Sequence, residues 1–342
     1  MYLITILPLS HNPQTDELSY FSKVPYETGA FVIAPLGKQK LTGLVLKSTS
    51  LLEEKQTIKD APFEMRKLPE QEPLFVLPFV DVYQIMAEYH LVTLNFLLRH
   101  ALPYEYLLKE TISEKTSLTK KNKIEALQAK ESERVTQYKS LVRSTFSKQQ
   151  SVIIVVPTVQ EIHFWYDSIK KGIESVTIKI TSEQTAKVRE ESLKTIQSSE
   201  HPLLIITTPY YFPIVSYKKH VLILEHESSP YYRDHISKLH MEAITIALAE
   251  KVSERILRGD TLLSTETLYL LKKGIYDTYL QLQWPEKEVK TTVVARPKDR
   301  DYELFSVELQ TLLKKVISEQ KKVVLYGVRN GLATLTKCQT CQ

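Results

Sequence analysis

Apolar residues in this chain fall into three successive patterns. Up to about Pro103 they come in short alternating or apolar runs, at 3–7, 31–34 and 44–46, punctuated by Pro25, Gly29, Pro35, Gly37 and Gly43. Short runs cut by turn formers predict a small β-rich domain. Helical periodicity over 77–89 and 94–100, ended by Pro103, closes it. From Glu105 to Gln150 the chain is rich in Lys, Glu, Ser and Gln and has no Gly or Pro, which reads as a charged helical connector with little to form a core. From Ser151 onward continuous apolar runs, at 152–156, 203–206, 221–224, 261–263 and 323–326, alternate with amphipathic stretches at 160–171, 183–196, 239–256 and 304–319. Strands buried on both faces of a parallel sheet between crossover helices have this signature.

A length of 342 residues allows two or three domains with cores of their own. The two cysteines, Cys338 and Cys341, are too close together to staple a fold, so packing must hold the rest of the chain. No apolar run approaches the roughly 20 residues of a spanning helix or follows a basic start. That pattern points to a cytoplasmic chain without a membrane partner. The net charge of +5 permits nucleic acid as a partner without requiring it. Its distribution is uneven, since residues 109–148 carry ten Lys or Arg against five Glu. Glycine is scarce, with eight in all and none between Leu44 and Lys171.

In a parallel sheet, chemistry sits where strands end and helices begin. Those turns read Val156-Pro157-Thr158-Val159, Thr207-Thr208-Pro209-Tyr210, Glu225-His226-Glu227-Ser228-Ser229 and Ser264-Thr265-Glu266-Thr267. Their order resembles the first motor lobe of a superfamily 2 helicase, in particular the PriA family of bacterial replication-restart helicases, with its VPE, GTRSA, DEEHDSSY and GSATPSLE segments. Lys238-Leu239-His240-Met241-Glu242-Ala243 is similar to the family's RYHARD helix start, and residues 326–333 with Cys338 and Cys341 resemble its NRRGYA…CxxC stretch. Independently, residues 28–45, with Pro35-Leu36-Gly37-Lys38 at their centre, resemble the family's VPFGK segment, and residues 87–103 its ADYY…ALP stretch.

The resemblance implies a fold of a small β-rich DNA-binding domain over residues 1–104 followed by a helicase-like, RecA-like α/β lobe over 151–285. Residues 105–150 would connect them, and 286–342 would begin a second lobe and zinc region. The implied DNA partner is a fork or a 3′ end, held by Leu18, Ser19, Tyr20, Gly37, Lys38 and Lys40. Tyr20 offers a ring for stacking, and the lysines offer charge for phosphates. Ser19 stands where some members carry an Asp that can accept from the terminal hydroxyl. Other replication or primosome proteins are implied as further partners.

The motor lobe departs from the family. A phosphate-binding loop needs glycines whose backbone N–H groups wrap the phosphates. The slot ahead of strand 152–156 instead reads Ala129-Lys130-Glu131-Ser132-Glu133-Arg134-Val135-Thr136. The acidic dyad is also altered, leaving Glu225, His226 and Glu227 in its region. The 46-residue connector is too short for the family's winged helix plus the strand that carries its phosphate loop. ATP binding is therefore not expected, and no cofactor is. Cys338 and Cys341 form half a zinc site at best, because a structural site needs four ligands. The expected protein binds DNA in replication restart without ATPase or helicase activity. Two alternatives stay open: an active DNA-dependent ATPase of which this is a fragment, and a protein-interaction scaffold.

Overall fold

In a computed structural model of the chain, residues 1–9, 17–37, 39–51, 66–77, 79–103, 122–216, 220–284 and 305–324 are described. The first sheet has six strands: β1 (Tyr2–Pro8), β2 (Leu18–Ser22), β3 (Ala30–Leu36), β4 (Gln39–Ser50), β5 (Arg66–Lys67) and β6 (Phe75–Val76). Their order is β5-β2-β1-β4-β3-β6, antiparallel except for the β2–β5 pair. Alternation in β1 puts Ile4 and Ile6 into one core with Tyr20, Val32 and Val45. Two helices follow, α1 (Val80–Tyr89) and α2 (Leu94–Ala101), the second capped by the Thr93 hydroxyl, which accepts from Phe96 N–H. Their buried residues, including Tyr83, Leu97 and Leu98, share a second core with Leu7, Phe31 and Leu44 of the sheet.

The second sheet is parallel throughout and has seven strands in the order β13-β7-β12-β11-β8-β10-β9. They are β7 (Lys123–Gln128), β8 (Ser151–Val155), β9 (Thr177–Ile180), β10 (Leu204–Thr207), β11 (His220–Glu225), β12 (Ser253–Asp260) and β13 (Asp277–Thr278). The helices α3 (Glu131–Phe146), α4 (Val159–Ile169), α5 (Ala186–Ser198), α6 (Phe212–Val215), α7 (Met241–Val252) and α8 (Thr265–Lys272) connect them. Val152, Ile154, Leu204, Ile206, Val221 and Ile223 face a core with Trp165 and Tyr138, while Ile153, Val155, Ile205 and Leu222 face the core that also takes in α1 and α2. Successive residues thus bury on opposite faces, which explains the unbroken apolar runs. This is a parallel α/β lobe following a β-rich domain, as the sequence pattern predicts, in the RecA-like form that the resemblance implies.

Three expectations need correcting. Residues 123–150 are not a connector: β7 pairs with both β12 and β13, and α3 buries Tyr138, Leu141 and Val142 in the lobe core. The strand ahead of the phosphate-loop slot is therefore present; its polar ends, Lys123 and Gln128, hide it in the sequence. The fourth strand runs over Ser253–Asp260, not 261–263, and α7 ends at Val252, because the apolar spacing of Val252 and Ile256 carries a helical rhythm across the boundary. The short edge-side strand β9 is not foreseen at all.

The chain divides into two units at Trp284 and Pro285. In the second unit the described residues form one helix, α9 (Val307–Ser318), capped by the Ser306 hydroxyl. Residues 321–324 there have no regular structure, and 325–326, the rest of the expected strand, lie outside the described residues, as do Cys338 and Cys341. Among the described residues no helix is long and apolar enough to cross a membrane.

Candidate functional site

In the first domain, β3 and β4 pair as far as Leu36 and Gln39, and Gly37, at the start of the turn between them, takes φ +63°, which a side chain would resist. Lys38 lies outside the described residues; Lys40 is exposed just beyond the turn. Leu18 and Ser19 are half-buried on β2, opposite Ile6 and Thr5. Tyr20 is not available to stack on a base. Its ring is 3% exposed in the domain core and its hydroxyl donates to Pro35 O at 2.8 Å. Burial raises the pKa of this phenol, against the nearby charge of Arg66. The structure adds Arg66, which sequence reading missed because it sits in a two-residue strand. Arg66 pairs in register with Tyr20, and its guanidinium donates to Gly37 O at 2.9 Å, tying β5 to the hairpin turn. Tyr20, the Gly37 turn and Arg66 thus form one unit with Lys40 beside it.

In the α/β lobe, β7, β12, β11 and β8 all end at the same edge of the sheet, and the turns after them meet there. Only Ala129 and Lys130 separate β7 from α3. Ala129 N–H donates to Asp260 O, so the turn lies flat against β12 instead of opening into a loop. Arg134, one turn into α3, shares a buried face with Tyr138 and Leu141, and its guanidinium points back beneath this turn. Its Nη1 donates to Ala129 O at 2.6 Å and to Thr261 Oγ1 at 2.9 Å. Its Nε and Nη2 both donate to Glu225 Oε1, at 2.8 and 2.6 Å. The Tyr138 hydroxyl donates to Glu225 Oε2. Arg134 and Glu225 are both fully buried. Burial pushes the Glu225 carboxyl up to about 7 against the opposing pull of Arg134 and the hydrogen bonds it accepts.

Gly259 makes this possible. It lies opposite Glu225 in the β11–β12 register, and a Cβ there would overlap the Tyr138 hydroxyl and crowd Glu225 Oε2.

Glu227 and His226 complete the strand-end cluster. His226 adopts φ +51°, uncommon for a side-chain-bearing residue. Its Nδ1 lies 3.0 Å from Glu161 Oε1 and its Nε2 lies 3.4 Å from Glu225 Oε1, and the hydrogen bond to Glu161 raises its pKa. Glu227 faces the other way. It accepts from Arg258 at 2.7 Å, from Ser264 N and Oγ at 2.5 and 3.0 Å, and from Thr267 Oγ1 at 3.0 Å. The turn before α8 is therefore locked to the turn after β11. The sequence places Glu225 and Glu227 correctly at a strand end, but their buried partners, Arg134 and Arg258, are missed. The available signal was an arginine spaced four residues from Tyr138 on the apolar face of α3.

Mg²⁺ and a nucleotide, which a motor lobe of this type would hold here, do not fit these residues. The position beside Glu225 already holds a guanidinium, the β7–α3 turn has two residues and no glycine, and Glu131 and Glu133 stand in the first turn of α3.

The fold and these sites describe a small mixed-sheet domain joined to a parallel α/β lobe. Comparison with known proteins gives the first part its class: residues 7–103 match the family model of the PriA 3′ DNA-binding domain. Over its whole length the chain is 22% identical to the replication restart protein PriA of Helicobacter pylori strain 26695 and 21% identical to that of strain J99, in each case over 55% of the relative. The chain is PriA-like, and it spans about half the length of the curated relatives it matches. Among solved structures, the UvsW helicase from bacteriophage T4 matches at 11% identity and a TM-score of 0.29, over 47% of this chain and 54% of that one.

Proposed function

We propose that this protein binds forked or 3′-ended DNA in replication restart and that its α/β lobe neither binds ATP nor unwinds DNA. The observation that carries this reading is the buried Arg134–Glu225–Tyr138 cluster in a chain whose first hundred residues match a 3′ DNA-binding domain. A guanidinium held by two hydrogen bonds on one carboxylate oxygen supplies the positive charge that a metal ion would bring, and it does so permanently. Binding a nucleotide there requires expelling Arg134 and leaving Glu225 buried without its guanidinium, at a cost of about 3–5 kcal/mol. DNA binding falls to the first domain, where Gly37, Arg66 and Lys40 present backbone and charge at one edge. The protein acts in the cytoplasm beside other replication proteins, and it carries no cofactor of its own.

The test pairs two assays on the same preparation. Fluorescence anisotropy should show tighter binding to a fork with a free 3′-hydroxyl arm than to the same fork blocked by a 3′-phosphate. Phosphate release in the presence of saturating forked DNA should stay at background. DNA-stimulated ATP turnover would overturn the reading of the lobe, and equal affinity for the two forks would overturn the reading of the first domain.

A further inference from the structure

A third group of titratable side chains lies at the β9 edge of the parallel sheet, away from the sites described above. On α4, His163, Tyr166, Asp167 and the C-cap residue Lys170 recur at three- and four-residue spacing, so they share one stripe of the helix. Lys179, in register with Ile206 of β10, reaches this stripe from β9. Its Nζ lies 3.2 Å from His163 Nδ1 and 4.9 Å from the centroid of the Tyr166 ring, which Lys170 Nζ approaches at 4.6 Å.

The strand beneath the amine is fixed by the turn that follows it. Gln184 Nε2 donates to Lys179 O and Gln184 Oε1 accepts from Thr181 N–H, both at 3.0 Å, so one side chain stands in for a neighbouring strand. Glu183 N–H donates to Thr181 Oγ1 at 3.2 Å, and Glu183 Oε2 lies 3.0 Å from His163 Nε2. An ammonium can only donate, so His163 Nδ1 is the acceptor for Lys179 and the Nε2–H donates to Glu183.

Carboxylate, imidazole and amine thus form a relay in which each group orients the next. Other lysines of the lobe face carboxylates instead: Lys123 lies 3.0 Å from Glu125, Lys170 2.6 Å from Asp167 and Lys194 3.3 Å from Glu190. A carboxylate partner keeps an ammonium charged, whereas a neutral imidazole can take its proton. Asp167, the remaining acid beside the relay, is held by Lys170 and does not compete for the imidazole. His163 and Lys179 are half-buried, which leaves the amine within reach of a small molecule.

We propose that Lys179 is a site of N-acylation by an activated acyl group, a thioester or an acyl phosphate, with His163 as general base and Glu183 as the residue that positions it. His163 Nδ1 takes one proton from the ammonium, and the freed lone pair adds to the acyl carbonyl carbon. The bond from that carbon to sulfur or to the phosphate oxygen then breaks, and its electron pair goes with the leaving group. His163 returns its proton to the leaving group, and the second proton on nitrogen passes to water as the amide forms. The product removes one of the two cations from the Tyr166 ring and leaves Lys170 there.

The experiment incubates the full chain with acetyl phosphate and, separately, with acetyl-coenzyme A, and follows the acetyl occupancy of each lysine by peptide mass spectrometry. With at least one donor, Lys179 should be acetylated at least about tenfold faster than the exposed Lys171 and Lys194 of the same sample, and the donor that shows this preference is the one the site takes. His163→Asn keeps an acceptor for the ammonium but cannot carry its proton. This variant should bring Lys179 down to the rate of Lys194 while Lys194 itself is unchanged, and Glu183→Gln should fall between the two. A wild-type Lys179 rate within about twofold of Lys194 with both donors would overturn the proposal, as would a preference that survives His163→Asn.

Discussion

Replacing Arg134 by methionine tests the central claim about the lobe, because the substitution keeps the length and apolar stem of the side chain while removing its charge. In the wild type the guanidinium supplies both hydrogen bonds to Glu225 Oε1 and one each to Ala129 O and Thr261 Oγ1. Methionine leaves Glu225 fully buried with the Tyr138 hydroxyl on one oxygen and His226 Nε2, 3.4 Å away, beside the other. Breaking one partner of a buried pair costs about 3–5 kcal/mol, and at roughly 2 °C per kcal/mol for a unit of this size the melting temperature should fall by about 6–10 °C. The pH dependence follows from Glu225, whose folded-state pKa of about 7 stands above its ordinary 4.5. A raised folded-state value means stability that is present at low pH and lost as pH rises through it. Without Arg134 the value climbs further, so the variant keeps losing stability above pH 7, where the wild type has levelled off. Its deficit should therefore be smallest near pH 6 and largest near pH 9, as read by chemical denaturation at each pH. A loss below about 1 kcal/mol at pH 8, or a deficit that does not change between pH 6 and 9, would refute the pairing.

Gly259→Ala should destabilise the lobe by about 1–3 kcal/mol through overpacking, and adding Tyr138→Phe, which removes the hydroxyl a Cβ would strike, should recover part of that loss. His226 should titrate in a proton NMR series with a midpoint above 6.5, since Glu161 favours its charged form. Its stabilisation is then present below 6.5 and lost as pH rises through the higher value, and Glu161→Gln should lower the midpoint. Tyr20→Phe should cost about 1 kcal/mol of stability with DNA affinity unchanged, whereas Arg66→Glu should weaken DNA binding with little loss of stability. A Tyr20→Phe variant that binds DNA tenfold more weakly would put the phenol on the DNA after all.

The parallel lobe was legible because its central strands are buried on both faces, and a run such as Val152–Val155 then has no polar positions to break it. The strand β7 escaped detection for the opposite reason. It carries Lys123, Glu125 and Gln128, and each is satisfied by a partner far away in the sequence: Asp277, Arg255 and the backbone of Leu263 and Gln283. Tertiary pairing of this kind leaves no local periodicity to read. The same limit applies to the site. Glu225 could be placed at a strand end from its apolar neighbours, but nothing in the sequence says that Arg134, 91 residues earlier, lies against it. Tyr20 shows the converse error, since an aromatic residue beside a basic turn looks like a stacking platform until the β2–β1 register turns it inward.

The pairing of the strand-end carboxylates bears on what this edge of the sheet can accept. Groups that await a ligand are left short of partners, because a carboxylate already fully hydrogen-bonded must give up bonds before it can accept new ones. At the strand ends the carboxylates are all engaged from within: Glu225 by Arg134 and Tyr138, Glu227 by Arg258, Ser264 and Thr267, and Asp260 by Ser228 N, Ser228 Oγ and Thr261 N. Each bond closes one turn onto the next, so these bonds rigidify this edge of the sheet. The Tyr232 hydroxyl extends the same bracing beyond β11: it donates to Glu225 O at 2.6 Å and lies 3.0 Å from Val155 O. Loosening the Arg134–Glu225 pair should therefore soften the turn after β11 as well as the lobe core.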